Sequence, residues 1–145
     1  MTEIAFHFNV PDKLHYSCRL LRKAYQTGAG VVVTGAQGVL DELDRYLWNF
    51  APMEFLPHCQ QGASAALRVA SPIMLSTAPE PSPRHPVLIN LGVDLPDGFE
   101  QFGRVLEIVG HDADDRLAAR QRWKHYADRG YAMLRHDLAA GASKP

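Results

Sequence analysis

The sequence has little of what export, membrane insertion or phosphate chemistry requires. Cysteine occurs only twice among the 145 residues, as Cys18 and Cys59, with no Cys-x-x-Cys spacing. Two reduced thiols are expected rather than a disulfide. No apolar run approaches the length of a bilayer span and no signal peptide opens the chain. A soluble, cytoplasmic protein with no membrane partner is therefore expected. Nor does one sign of charge dominate: 15 Lys and Arg face 16 Asp and Glu, for a net charge of −1. A domain that grips a nucleic-acid backbone usually carries a basic excess, because affinity comes from neutralising phosphates. Any link of this chain to DNA is expected to run indirectly, through proteins.

Catalytic signatures are equally scarce. The seven histidines show no His-x-x-x-His or His-Glu-x-x-His spacing, so no metal is expected. There is no Gly-x-Ser-x-Gly elbow. Cys59 follows His58, but adjacent side chains rarely face one another, and nothing in the local sequence supplies an oxyanion hole. A dinucleotide fold needs Gly-x-Gly-x-x-Gly in its first turn. Here that turn is Phe8-Asn9-Val10-Pro11, in which the proline removes an amide donor. The second turn, Thr34-Gly35-Ala36-Gln37-Gly38, lacks the Gly-Lys-Ser/Thr of a P-loop. No catalytic residue and no cofactor are expected. The alternative function class is a small nucleotide-binding α/β enzyme using the Thr34–Gly38 turn as an anion site.

What is present is organised around residues 28–58. Val31-Val32-Val33, bounded by glycines, reads as a strand buried on both faces. The helix after Gly38 places Val39, Leu40, Leu43, Tyr46, Leu47 and Phe50 on one stripe. Trp48 lies on the flank, near Asp41 and Asp44. A large aromatic off the core face points to a partner surface, or else folds back over the following loop, since Pro52 soon stops the helix.

Upstream, Ile4 to Phe8 alternates as a strand does, with His7 expected to be half-buried. Asp12 suits a helix N-cap. Leu14, Cys18, Leu21 and Tyr25 share one face of the following helix, which Gly28 closes. The strand–helix–strand order predicts a βαβ unit with a right-handed crossover. Downstream, Phe55-Leu56-Pro57 predicts a short strand or extended arm, and residues 60–66 a loop. Further strands are predicted at 67–70, 73–75, 87–91 and, last, 105–109. Prolines at 79, 81, 83 and 86 make a stiff exposed loop. Leu95 to Gly98 begins a short helical turn through Phe99 and Phe102.

The last helix is predicted from about Asp112 to Arg129, with carboxylates at its N-terminus. Arg116, Arg120, Trp123 and Ala127 follow at spacings of four, three and four, so they share a face, with Lys124 beside them. Ala119, Trp123 and Tyr126 border that face on the inward side. Cations and an indole together suit an acidic peptide with an apolar end. An ordinary solvated face with Trp123 in the core satisfies the same spacing, and periodicity leaves both open. The fold class predicted is α/β, three-layered, with a mixed, mostly parallel sheet and helices on both faces: a Rossmann-like, nucleotide-binding-type topology without a phosphate-binding motif. One domain is expected over residues 1–138, with a disordered tail at 139–145.

The valine strand, the helix ending Leu47-Trp48, Phe55-Leu56-Pro57-His58, Ser82-Pro83-Arg84, Val87-Leu88-Ile89-Asn90-Leu91 and Arg120-Gln121-Arg122-Trp123-Lys124-His125-Tyr126 resemble, in order and spacing, the chi subunit of the bacterial DNA polymerase III holoenzyme. The resemblance spans nearly the whole chain. It implies a non-catalytic accessory subunit of a DNA-directed DNA polymerase, associated with the clamp loader in DNA replication. It further implies that the last helix binds the acidic C-terminal tail of single-stranded DNA-binding protein, which ends in an apolar residue and a free carboxylate. The matching positions are Arg116, Arg120, Trp123 and Lys124, with Val109 and Leu134 at the pocket edge. Trp123 stands where the family usually has tyrosine, and Arg116 where it has lysine. The segment Gly110-His111-Asp112-Ala113 is shorter than in better-known members. Trp48, Phe55, Leu56 and Pro57 are the residues the resemblance assigns to a second partner, the psi subunit of the clamp loader. A DNA-repair helicase is a further partner it admits.

Overall fold

A computed structural model describes residues 2–50, 57–60, 71–80, 82 and 84–138. The elements in chain order are β1 (Glu3–Val10), α1 (Lys13–Thr27), β2 (Val31–Thr34), α2 (Gln37–Phe50), β3 (His58–Gln60), β4 (Ile73–Leu75), β5 (Val87–Asn90), β6 (Arg104–Gly110), α3 (Ala113–Asp128) and β7 (Ala132–Asp137). The predictions at Phe55, Leu56, 61–70 and 139–145 fall outside the described residues. Three layers form, as the sequence predicts. The helices α1 and α2 cover one face of the sheet through Cys18, Leu21, Leu40, Leu43 and Leu47. Helix α3 covers the other with Ala119 and Tyr126, packed on Ile4, Phe6, Val105 and Val109.

The local signals act where they were read. Asp12 Oδ1 accepts from the His15 amide at 3.1 Å and starts α1. Gly28 ends it at φ 83°, a left-handed conformation that glycine adopts without strain. All four residues of β2 are buried, as a central strand covered on both faces requires. Gly30, just before it, touches the loop that precedes β5. A Cβ there would lie 1.6 Å from the Arg84 carbonyl oxygen, so only glycine lets these two segments meet. Tyr25 and Tyr46, placed on core stripes by periodicity, are instead exposed. Each sits where a phenol ring can keep its hydroxyl in water, and the Tyr46 hydroxyl reaches Asp12 Oδ2 at 3.4 Å.

The sheet differs from the prediction in three respects. Its strand order is β3-β4-β2-β5-β6-β1-β7, and every pairing between these strands is parallel rather than mixed. The strands β1 and β2 are not neighbours, because β5 and β6 lie between them. Ile4, Ala5 and Phe6 are fully buried, so β1 needs a strand on each side, and it pairs with β6 and β7. The last strand is also not β6. Strand β7 runs along the sheet edge, where most of its side chains stay in solvent. An edge strand is held on one side by backbone bonds and buries little, so it leaves no alternating apolar signature.

Candidate functional site

The site is built on α3, and α3 is pinned by polar contacts rather than by an apolar stripe. Its buried residues are Asp115, Ala119, Arg122 and Tyr126, which are spaced four, three and four. Asp112 caps the helix, accepting from the Asp115 amide at 3.2 Å. Asp115 Oδ2 accepts from the Gly110 amide at 2.7 Å and from Lys13 Nζ at 3.1 Å. Deeper in, Glu107 on β6 is wholly buried. It accepts from Arg122 Nε at 3.0 Å, from Asn90 Nδ2 at 2.9 Å and from the Tyr126 hydroxyl at 2.7 Å. Burial pushes the Glu107 carboxyl up, against the pull of the Arg122 guanidinium and of the three hydrogen bonds. Burial, and then the neighbouring Glu107 carboxylate, also raises the Tyr126 phenol. Arg122 is thus an anchor turned beneath the helix. Its role was not legible in the wheel, which carries no record of a buried glutamate on another element.

With 115, 119, 122 and 126 facing in, the residues one step round the helix overlook its edge. Arg116, Arg120 and Trp123 meet Phe8, Asn9, Val109, Ala119, Arg135 and Asp137 there, around a cleft of about 400 Å³. The floor is aromatic. The Trp123 ring meets Phe6 edge-on at 5.1 Å between centroids and lies 6.2 Å from Phe8. Three guanidinium groups and one carboxylate line the cleft. Among the described residues, no hydrogen bond or ion pair engages the side chains of Arg116, Arg120 or Arg135. An unpaired trio of arginines around an apolar floor is chemically fitted to a carboxylate-bearing ligand with a greasy end.

Most residues singled out from the sequence converge here, and some do not. Arg116, Arg120, Trp123 and Val109 line the cleft. Lys124 is exposed on the adjoining surface and does not line it. Leu134 does not reach it either, because alternation along β7 turns Leu134 to the other face of the sheet from Met133 and Arg135. Reasoning from sequence missed Phe8, Asn9, Arg135 and Asp137. Their signal is tertiary: β7 lies beside β1 only in the assembled sheet.

A second surface lies at the far end of α2. Trp48 is 57% exposed and meets the His58 ring edge-on at 5.1 Å. His58 Nε2 in turn lies 3.0 Å from Asp44 Oδ1, so the imidazole is engaged with a carboxylate. Cys59 is buried. Pro57 is half-buried in this region, and Phe55 and Leu56 lie outside the described residues. The Thr34–Gly38 turn opens on a separate crevice of about 570 Å³. Glu80, Asp94 and Asp97 line that crevice, and no Lys or Arg among the described residues does. Such a lining repels phosphate, and this weighs against the nucleotide-binding alternative.

The fold alone is shared with the C-terminal domain of S. cerevisiae Dbp5, in a structure with Gle1 and IP6. The TM-score is 0.56 at 12% identity, covering 94% of this chain and 90% of that one. A longer Dbp5 chain, bound to Nup159, Gle1, IP6 and ADP, matches with a TM-score of 0.58 at 13% identity, covering 94% and 42%. Sequence relatives carry more. The chain is 32% identical over 144 residues to the DNA polymerase III subunit chi of Pseudomonas aeruginosa, covering 95% of this chain and 98% of that protein. It is 28% identical over 119 residues to the DNA polymerase III subunit chi of Haemophilus influenzae, covering 81% of each. The family model for the DNA polymerase III chi subunit, HolC, matches residues 1–134. This match takes in every element up to the middle of β7, and the chain belongs to the DNA polymerase III chi subunit family.

Proposed function

We propose that the cleft between α3, β1 and β7 binds the acidic C-terminal tail of single-stranded DNA-binding protein, and that this non-catalytic subunit joins that protein to the clamp loader during replication. The observation that carries the reading is the convergence of Arg116, Arg120 and Arg135, none with an ion pair among the described residues, around Trp123 and Phe8. Guanidinium forks take carboxylates bidentately, and the aromatic floor takes the terminal apolar side chain. Lys124, exposed beside the cleft, adds to the field that draws an acidic tail in, and Leu134 is left without a contact role. Trp48 and Pro57 belong to the second surface, for the psi subunit; Phe55 and Leu56, assigned with them from the sequence, lie outside the described residues. A half-exposed indole is the kind of anchor that protein interfaces use.

Isothermal calorimetry with the tail peptide tests the first surface. Trp123→Ala and Arg120→Ala each weaken binding by about 2 kcal/mol, the scale of an interface hot spot. Unchanged affinity in a folded Arg120→Ala protein counts decisively against the cleft. Trp48→Ala leaves peptide binding intact and abolishes capture of purified psi subunit.

A further inference from the structure

Strands β2 and β5 pair in register, Val31 to Thr34 against Val87 to Asn90, and their chains part at the carboxyl ends. From β2 the chain turns into α2, which packs on one face of the sheet. From β5 it turns to the other face, where Leu95, Phe99 and Phe102 pack with Ala119 and Tyr126 of α3. In parallel sheets such a fork leaves a crevice outside the strand ends, and ligands bind there. Here it is the crevice of about 570 Å³ beside the Thr34–Gly38 turn. Its walls are already held in place. The Leu91 amide donates to the Thr34 carbonyl at 2.9 Å, and the Ser76 amide to the Val33 carbonyl at 2.9 Å. Asn90 Oδ1 accepts from the Gly92 amide at 2.8 Å, and its Nδ2 donates to the Asp94 carbonyl at 3.2 Å and to Glu107 at 2.9 Å.

Two kinds of polar group line the crevice. The rim carries Glu80, Asp94 and Asp97, all exposed and none in an ion pair among the described residues. Deeper in lies Thr34, only 4% exposed, whose hydroxyl has no hydrogen-bond partner among the described residues. A buried hydroxyl left unpaired is costly, and a donor entering the crevice relieves it. Between them, Val39, Leu91 and Leu95 form an apolar wall suited to the methylene stem of a long cationic side chain. A metal ion does not fit, since no three His, Cys, Asp or Glu side chains among the described residues come together to hold one. We propose that this crevice docks a basic segment of a partner protein, with one arginine inserted so that a guanidinium N–H reaches the Thr34 hydroxyl while neighbouring cations meet Glu80, Asp94 and Asp97. Its charge is opposite in sign to that of the arginine-lined cleft at α3, so the two surfaces take different partners.

The test titrates the isotope-labelled full chain with a short peptide of alternating arginine and glycine. A second peptide carries citrulline in place of arginine, which keeps the shape and removes the charge. Amide resonances of Gly35, Gly92 and Asp94 move saturably with the arginine peptide, which binds about tenfold more tightly than the citrulline form. Thr34→Val keeps the side-chain shape and weakens the arginine peptide about tenfold. Asp94→Asn combined with Asp97→Asn weakens it about fivefold, the scale of two exposed ion pairs. Equal binding of the two peptides overturns the proposal, as do shifts confined to Asp41 and Glu42 on α2. So does ADP moving the crevice resonances where the arginine peptide does not, which assigns the crevice to a nucleotide. Should Thr34→Val melt early in a thermal scan, the double variant decides, and unchanged affinity for the arginine peptide there overturns the assignment. Binding of the acidic tail peptide is unaltered in these variants, so the outcome is independent of the reading of the α3 cleft.

Discussion

Arg122 Nε donates to Glu107 Oε1 at 3.0 Å, with both side chains sealed from solvent. A buried ion pair contributes little against a well-packed apolar pair, but removing one member strands a charge. Arg122→Ala is therefore expected to destabilise the fold by about 3–5 kcal/mol. The double substitution Arg122→Met with Glu107→Leu recovers most of that loss. Urea unfolding followed by circular dichroism measures both, and equal stability of Arg122→Ala and the wild type would show that the pair does not anchor α3.

His7 points from β1 to the α1 side, hydrogen-bonded to the Tyr16 hydroxyl, with its ring tilted against that of His136 at 4.7 Å between centroids. Burial, then the charges of His136 and Arg104, lowers its pKa from 6.5 to about 4. The folded state therefore binds fewer protons at this site than the unfolded chain between those values. Stability from His7 is complete above the unfolded pKa and is lost as the pH falls toward about 4. The amount is on the order of 3 kcal/mol, since each tenfold weakening of proton affinity is worth about 1.4 kcal/mol. Urea midpoints measured between pH 7 and pH 4 should fall with this slope in the wild type and more shallowly in His7→Gln. Parallel slopes in the two proteins would exclude His7 as the source.

Gly30 packs where any side chain would overlap the Arg84 carbonyl. Gly30→Ala is expected to force that loop away from β2, at a cost of about 1–3 kcal/mol, as overpacking typically does. Gly38, with nothing within 4 Å of a built Cβ, is the control, and alanine there leaves the thermal midpoint near the wild-type value or raises it. Thermal unfolding of the two variants side by side decides it, and similar midpoints would remove the close approach as a determinant of the fold.

Added salt is expected to weaken tail-peptide binding, because all three cleft arginines, Arg116 and Arg120 on α3 and Arg135 on β7, are exposed and the Debye length is only about 10 Å at 0.1 M. Titrations across a salt series separate the charges from the floor. Arg116→Ala flattens the salt dependence, whereas Trp123→Ala lowers affinity with the slope kept. A salt-independent affinity in the wild type would mean that the arginines do not meet the ligand's charges.

Read without its fold, the chain discloses what is local. Asp12 and Gly28 bound α1, three valines make a central strand, and the spacing of Arg116, Arg120 and Trp123 puts them on one edge of a helix. Each depends on residues within a few positions of one another, where backbone period and capping chemistry act. The order and spacing of such segments over nearly the whole chain also identified its family. The rest depends on assembly. Arg122 turns inward because a glutamate fifteen residues earlier waits beneath it. Lys124 stays outside the cleft, and Leu134 faces away from it, because of where α3 and β7 come to lie. The wall that completes the site, with Phe8, Asn9, Arg135 and Asp137, exists only because the chain's last strand pairs with its first. An edge strand held by backbone hydrogen bonds buries too little to mark its own sequence, so that pairing becomes visible only when the sheet is assembled.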